Sequence, residues 1–161
     1  MNDKEYKIRT ATLNDVYILV EHHSLMFEEI FSLDGTAIDF YKSQQMKKSY
    51  LQKLKTELPT CSYNAWLIEI GNKIIGSGSI SICSMVPTLI DPSYLRAYLH
   101  SVYIDKKFRR RGFAKIIIEE IIEYCKYKNI NHIFLHASKS GKPVYKSIGF
   151  ISRETMEINE A

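Results

Sequence analysis

The residues best suited to chemistry are three consecutive arginines followed by a glycine, in the segment Arg-Arg-Arg-Gly-Phe-Ala at 109–114. Residues 98–104 before it alternate and are rich in β-branched and aromatic types, which indicates a strand, and an apolar helical period follows from Lys115. The start of a helix leaves backbone N–H groups without intrahelical partners, and the helix dipole adds positive charge there. Small residues let the backbone approach a bulky anion, and arginines hydrogen-bond its oxygens. The segment therefore predicts a phosphate-binding turn.

Two other interpretations of the arginines stay open, namely a solvated basic loop and a contact to nucleic acid. The Gly-x-Gly-x-x-Gly pattern of dinucleotide sites and the Gly-Lys-Ser/Thr of P-loops are both missing from the segment. The net charge of the chain is only +4, while residues 106–115 hold six Lys or Arg and no acid. This concentration favours a local anion site over a broad basic surface.

A second motif lies further along the chain, in Pro-Val-Tyr-Lys-Ser-Ile-Gly-Phe at 143–150. Arg-x-x-Gly-x-Ala between a strand and a long helix, followed at this distance by Tyr-x-x-x-Gly-Phe, resembles the GNAT superfamily of acetyl-CoA-dependent N-acetyltransferases. The resemblance is specific over residues 98–150, and before them it concerns only the order of the elements.

The resemblance implies an α/β (α+β) fold: a central mixed, mostly antiparallel sheet flanked by helices, with the cofactor in the splay between two parallel strands. It implies acetyl-CoA as cosubstrate and no metal. Strand backbone would face the pantetheine arm, the turn amides would cradle the pyrophosphate, and Ser138 stands where the family often has Asn. The cofactor-binding residues that it implies are Val102, Tyr103, Ile104, Arg109, Arg110, Arg111, Gly112, Phe113, Ala114, Lys115, Ser138 and Tyr145.

Two residues are expected to carry the proton chemistry. The resemblance makes Tyr145 a general acid for the departing thiolate, unless its ring only packs on the cofactor. Strand alternation predicts that Tyr98, His100 and Val102 share one face, and some family members carry a base at the position of His100. Histidine has an ordinary pKa near 6.5, which suits this task, although the ring could instead be bonded within the sheet.

The first predicted helix offers further candidates. His23 falls on its apolar stripe and is expected to be a satisfied core residue, whereas His22 is expected to be exposed. Glu21, Glu28 and Glu29 either line an acceptor pocket and attract a cationic amine, or form the solvated face of the helix.

A metal site is not expected. His132 and His136 share one face of a predicted strand roughly 13 Å apart, too far for one zinc ion. The three cysteines, at 61, 83 and 125, match neither a disulfide framework nor a zinc cluster, so we expect reduced thiols and no cysteine nucleophile.

Periodicity predicts the supporting elements. A strand at 6–9, an N-cap at Thr12, a long helix ending near 34–35 and a looser helix at 37–55 come first. A hairpin at 65–83 carries Gly76 and Gly78, which mark a bulge or a close approach by another backbone or a ligand. Strands at 132–136 and from 150 to about 158 flank a short helix at 143–148.

The 161 residues suit one N-acetyltransferase domain spanning 1–161, with 45% apolar and 25% charged residues. The N-terminus has no apolar signal segment and no run is long enough to cross a membrane, so we expect a cytoplasmic protein without a membrane partner. The family resemblance leaves room for a homodimer.

The functional prediction is an N-acetyltransferase that transfers an acetyl group from acetyl-CoA to a primary amine of a small molecule by direct attack, without a nucleic-acid partner. One alternative is acetylation of protein N-termini or lysines, which an acidic or extended groove near residues 28–50 and 84–96 would favour. A second alternative is a non-catalytic module that binds nucleic acid through the arginine turn.

Overall fold

The computed structural model describes residues 5–158, so the first four and last three residues of the predicted 1–161 domain lie outside the described part. Four helices and five strands make up the main elements of the described chain. In order they are β1 (Tyr6–Thr10), α1 (Val16–Leu33), α2 (Phe40–Glu57), β2 (Tyr63–Ile70), β3 (Lys73–Ser84), β4 (Leu95–Ile104), α3 (Phe113–Tyr127), β5 (Ile133–Phe134) and α4 (Lys142–Ile148).

The strands form one sheet in the order β1-β2-β3-β4-β5, antiparallel except for the parallel pair β4 and β5. This pair joins only Ala97 to Ile133 and Tyr98 to Phe134. β4 continues to Ile104, so its last six residues run past the end of β5. The prediction of a mixed, mostly antiparallel sheet with two separating parallel strands is confirmed.

Helices cover both faces of the sheet. On one face α3 buries Ile117, Ile118 and Ile121 against a core that includes Trp66 and Leu99. On the other face α1 and α2 enclose a second core. Its buried members are Val16, Leu19, Tyr50, Leu54, Tyr63, Ala65 and Leu67. The predicted apolar stripe of α3 is thus its buried face.

Capping residues explain two helix starts. Thr12 and Asp15 form the predicted capping box just before α1, and the Asp15 carboxylate also holds Arg9 at 2.8 Å. α2 begins at Phe40 rather than at 37 because the Asp39 side chain accepts a hydrogen bond from the Lys42 N–H.

Two predictions near the C-terminus are wrong. β5 contains only Ile133–Phe134 instead of 132–136, and residues 151–158 form no strand. The polar run Ser-Arg-Glu-Thr at 152–155 gives that segment no apolar face to lay on the sheet. None of the helices in the described chain is long and apolar enough to cross a membrane.

Candidate active site

A groove of about 1000 Å³ opens where β4 and β5 separate, between the start of α3 and α4. It brings together every predicted site residue except Arg111, although they come from β4, the arginine turn, the loop before α4 and α4 itself. The Arg111 guanidinium instead donates to the Lys107 carbonyl at 3.1 Å and lies 5.5 Å from the centre of the Phe108 ring. One half of the groove is bounded by the arginine turn and α4, and the other half by α1, α2 and the middle of β4.

The arginine turn has the backbone geometry of an anion site. Arg110 and Gly112 both have left-handed conformations, with φ of 59° and 85°, and Gly112 is the N-cap of α3. The Ile116 N–H bonds to the Gly112 carbonyl at 3.0 Å, so the N–H groups of residues 113–115 precede the first helical bond. A Cβ on Gly112 would have no heavy atom within 4 Å, which leaves an open approach to these donors. The turn therefore fits a diphosphate.

The Arg109 side chain links the turn to α1 and to the end of β4. Its Nη1 and Nη2 donate to the two carboxylate oxygens of Glu29 on α1, the second at 2.8 Å, and its Nε donates to the Ile104 carbonyl at 2.7 Å. The guanidinium holds the pKa of Glu29 below its usual range. Its side chain thus positions the turn, and no feature of the sequence pairs two residues so far apart.

A bulge in β4 overturns the prediction that Tyr98, His100 and Val102 share one face. Ser79 pairs with His100 and Ser77 with Tyr103, so Gly78 lies opposite two residues of β4. The Ser101 backbone is left-handed, with φ of 55°. The extra residue reverses the alternation, and Val102 packs on the α3 side of the sheet, in the core that contains Leu99.

A glycine of β3 makes room for β4 beside this bulge. A Cβ on Gly76 would lie 2.5 Å from Ile104 Cδ1 and 2.7 Å from the Tyr103 carbonyl oxygen. Gly78 stands opposite the bulge itself. Of the alternatives predicted for these glycines, Gly76 has the close backbone approach and Gly78 faces a bulge, whose extra residue belongs to β4.

The bulge also builds a hydrogen-bonded network beside the groove. Ser101 Oγ lies 2.9 Å from His100 Nδ1 and 2.8 Å from His23 Nδ1, and Ser81 Oγ lies 3.0 Å from His100 Nε2. Burial lowers the pKa of His100 to about 3 and that of His23 to about 4, so both rings are neutral at pH 7. Tyr50 adds a longer contact to Ser101, at 3.4 Å. A single serine within a strand has no local pattern that indicates a role in a site, so the contacts of Ser81 and Ser101 with His100 were not predicted.

The prediction that His22 is exposed is wrong. The residue is 5% exposed, its Nδ1 lies 2.8 Å from Ser77 Oγ, and its ring lies 4.7 Å from that of Tyr103. Burial lowers its pKa to about 4. Ser77 on β3 provides a buried hydroxyl partner, so this polar ring can pack against the sheet beside the apolar residues of α1.

Tyr145 lies on α4, half-buried at the groove, with its ring edge-on to Phe150 at 5.8 Å. Burial raises the pKa of its phenol to about 12, so the group is protonated at pH 7. Ser138 Oγ accepts a hydrogen bond from the Gly141 N–H at 3.1 Å and thereby shapes the loop that leads into α4.

The remaining candidates lie in other surroundings. Glu21 and Glu28 do not line the groove, and of the described lining residues only Glu29 is acidic. Of the two stretches near which an acidic or extended groove would favour a protein acceptor, 28–50 contributes Glu29, Ile30 and Tyr50 to the lining and 84–96 contributes no residue. Cys83 does line the groove, although its position in the sequence is remote from both motifs. Within residues 5–158, no three His, Cys, Asp or Glu side chains converge on a possible metal position.

Comparison with known proteins agrees with this geometry. The profile of the acetyltransferase (GNAT) domain family matches residues 32–160. A glucosamine 6-phosphate N-acetyltransferase of Trypanosoma brucei brucei is 25% identical over 87 residues, which are 51% of this chain and 54% of that protein, so the match spans about half the length of this relative.

Two solved structures share the fold over nearly their whole length. A GCN5-related N-acetyltransferase from Ralstonia eutropha has a TM-score of 0.88 at 21% identity, covering 97% of this chain and 99% of that one. A predicted acetyltransferase from Clostridium acetobutylicum, solved with acetyl-CoA, has a TM-score of 0.81 at 25% identity, covering 96% of each chain. The family expected from the two motifs is confirmed: this chain belongs to the GNAT acetyltransferase domain family.

Proposed function

We propose that the protein transfers the acetyl group of acetyl-CoA to a primary amine of a small molecule by direct attack. One observation carries the proposal: the arginine turn and Tyr145 face a single groove, at the point where β4 and β5 separate. A diphosphate site and a protonated phenol at one groove suit a thioester-bearing nucleotide. The match to the GNAT family supports the same activity.

The residues that would hold the cosubstrate are those of the turn and of the free edge of β4. The N–H groups at 113–115, with Arg110 and Lys115, would bind the diphosphate. The backbone of Val102, Tyr103 and Ile104 would bind the pantetheine arm. When bound, acetyl-CoA supplies an electrophilic thioester carbonyl and a thiolate leaving group.

Tyr145 would donate one proton of the reaction and His100 would accept the other. Tyr145 gives a proton or a hydrogen bond to the departing sulfur, since its phenol is protonated at pH 7. His100 receives the proton that nitrogen loses as the N–C bond replaces the C–S bond. A neutral imidazole has one donor and one acceptor nitrogen, so the hydroxyls of Ser81 and Ser101 are set to relay this proton.

Replacing Tyr145 by Phe tests this assignment. Loss of the acid should lower kcat at least about tenfold, and acetyl-CoA affinity should stay nearly unchanged because the ring is retained. The assay is release of CoA thiol at saturating acetyl-CoA, with Tyr127→Phe as the matched control, since Tyr127 is 79% exposed and does not line the groove. Unchanged turnover in Tyr145→Phe would remove this residue as the acid.

A further inference from the structure

The half of the groove that faces away from the arginine turn is apolar and aromatic. α1 contributes Met26, Phe27 and Ile30, α2 contributes Tyr50, and β4 contributes Tyr98. The Phe27 ring packs edge-on against the His23 ring, 5.0 Å between centres. We call this region the acceptor half, because the cosubstrate residues fill the other half.

Within residues 5–158, no free carboxylate lines the acceptor half to receive an ammonium group. Glu29 is the one acid among the described lining residues, and Arg109 binds both of its oxygens. The charged group that does line this half is Lys53, whose ammonium lies 2.6 Å from a Glu57 oxygen. A cation moved from water into such a region loses hydration without gaining a counter-charge.

The histidines of the acceptor half add no negative charge either. The ring nitrogens of His100 bond to Ser81 and Ser101, and Nδ1 of His23 bonds to Ser101. These neutral rings are weak bases, so they cannot take a proton from an ordinary alkylammonium in a favourable step. The amine therefore has to arrive uncharged or lose its proton on entry.

We infer that the acceptor is a single primary amine on an aromatic or apolar body, which reacts in its uncharged form. The inference rests on the proposed function and adds the substrate class to it. Polyamines, aminoglycosides and sugar phosphates carry several charges or many hydroxyls, whereas the hydroxyls of Tyr50, Ser81 and Ser101 are already hydrogen-bonded within the protein. An aromatic body would instead bury its surface against Phe27 and Met26.

The first test compares phenethylamine and aniline with spermidine, an aminoglycoside, glucosamine 6-phosphate and a short peptide, by release of CoA thiol. The kcat/KM for the better aromatic amine should exceed that of every other acceptor by about tenfold or more. A higher value for spermidine, the aminoglycoside, the sugar phosphate or the peptide overturns the inference. So does inactivity with both aromatic amines.

A parallel thermal-shift measurement with acetyl-CoA distinguishes failure of the inferred acceptor class from failure of the proposed acetyltransferase function. A raised Tm together with a preference for polar or cationic amines refutes the acceptor class and leaves the proposed function standing. An unmoved Tm refutes the proposed function itself.

Variants of the acceptor half give a second test. Phe27→Ala should raise the KM for phenethylamine about tenfold, whereas Phe40→Ala, at a 77% exposed position outside the groove, should not change it. Met26→Glu should raise the kcat/KM ratio of spermidine to phenethylamine about fivefold, and the uncharged Met26→Gln should leave the ratio unchanged. Equal ratios in the Glu and Gln variants would contradict the claim that the missing negative charge excludes cationic amines. If either variant fails to fold, the comparison of acceptors with the wild-type protein tests the inference.

Discussion

The contact between Arg109 and Glu29 ties the arginine turn to α1, and its strength can be worked out from its geometry. The pair is bidentate, and the side chains retain 33% and 24% of their exposure. Fully exposed pairs contribute about 0.2–1 kcal/mol, whereas breaking a buried pair costs about 3–5 kcal/mol. A half-buried bidentate pair should therefore show a coupling energy of about 1–2 kcal/mol.

A double-mutant cycle measures this coupling. The free energies of unfolding of the wild type, Glu29→Gln, Arg109→Gln and the double variant are obtained by urea denaturation at pH 7. If Glu29→Gln loses about 1–2 kcal/mol of stability, its Tm should fall by about 2–8 °C, given about 2–4 °C per kcal/mol for a chain of this size.

Glu21→Gln is the control for this cycle, because Glu21 is an exposed acid of the same helix outside the groove. It should change stability by less than about 0.5 kcal/mol. A coupling energy below about 0.3 kcal/mol would refute the claim that this pair holds the turn against α1.

Two further predictions concern histidines. His22 has a pKa of about 4 in the folded protein and about 6.5 when unfolded, so its contribution to stability is full above pH 6.5 and is lost as the pH falls towards 4. Unfolding free energies at pH 7, 6 and 5 should therefore fall less steeply in His22→Gln, with a difference in slope that approaches about 1.4 kcal/mol per pH unit below pH 6.5. Equal slopes would contradict the buried neutral state. His100→Ala should lower kcat by the same factor at pH 6 and pH 8, because the pKa of His100 is about 3. Unchanged turnover would show that His100 is not the base. A loss of turnover that appears only above pH 6.5 would contradict its low pKa.

Local patterns predicted the parts of the site that depend on neighbouring residues. The arginine turn and the helix after it follow from turn chemistry and periodicity, and the site role of Tyr145 was implied by the resemblance of the second motif to the family. Gly76 indicated the close approach of β3 to β4, and Gly78 indicated the bulge that lies opposite it.

Contacts between distant segments could not be predicted in this way. The bulge at Ser101 inverts the faces of β4, and strand alternation has no means of counting an inserted residue. The bonds of His22 to Ser77 and of Arg109 to Glu29 depend on how α1 docks on the sheet. The end of β5 depends on pairing with β4 rather than on its own residues.

The alternative of a nucleic-acid-binding module makes a different prediction for the arginine turn. Oligonucleotide affinity would then fall steeply with salt concentration, and acetyl-CoA would have no effect on stability. Replacing Gly112 by Asp distinguishes cofactor binding from a general change in stability, because it adds a side chain and a negative charge at the predicted diphosphate site. Gly71→Asp is the matched control, since Gly71 also has a positive φ, of 59°, with no atom within 4 Å of an added Cβ, and it lies in the β2–β3 turn.

The most direct measurement is the melting temperature of the wild type, Gly112→Asp and Gly71→Asp with and without acetyl-CoA. At one hundred times its Kd the ligand should add about 2.7 kcal/mol of stability, which raises the Tm by about 5–11 °C. We expect this rise in the wild type and in Gly71→Asp, and none in Gly112→Asp. A wild-type Tm that acetyl-CoA leaves unmoved, or an equal rise in Gly112→Asp, would contradict the binding of acetyl-CoA at the arginine turn.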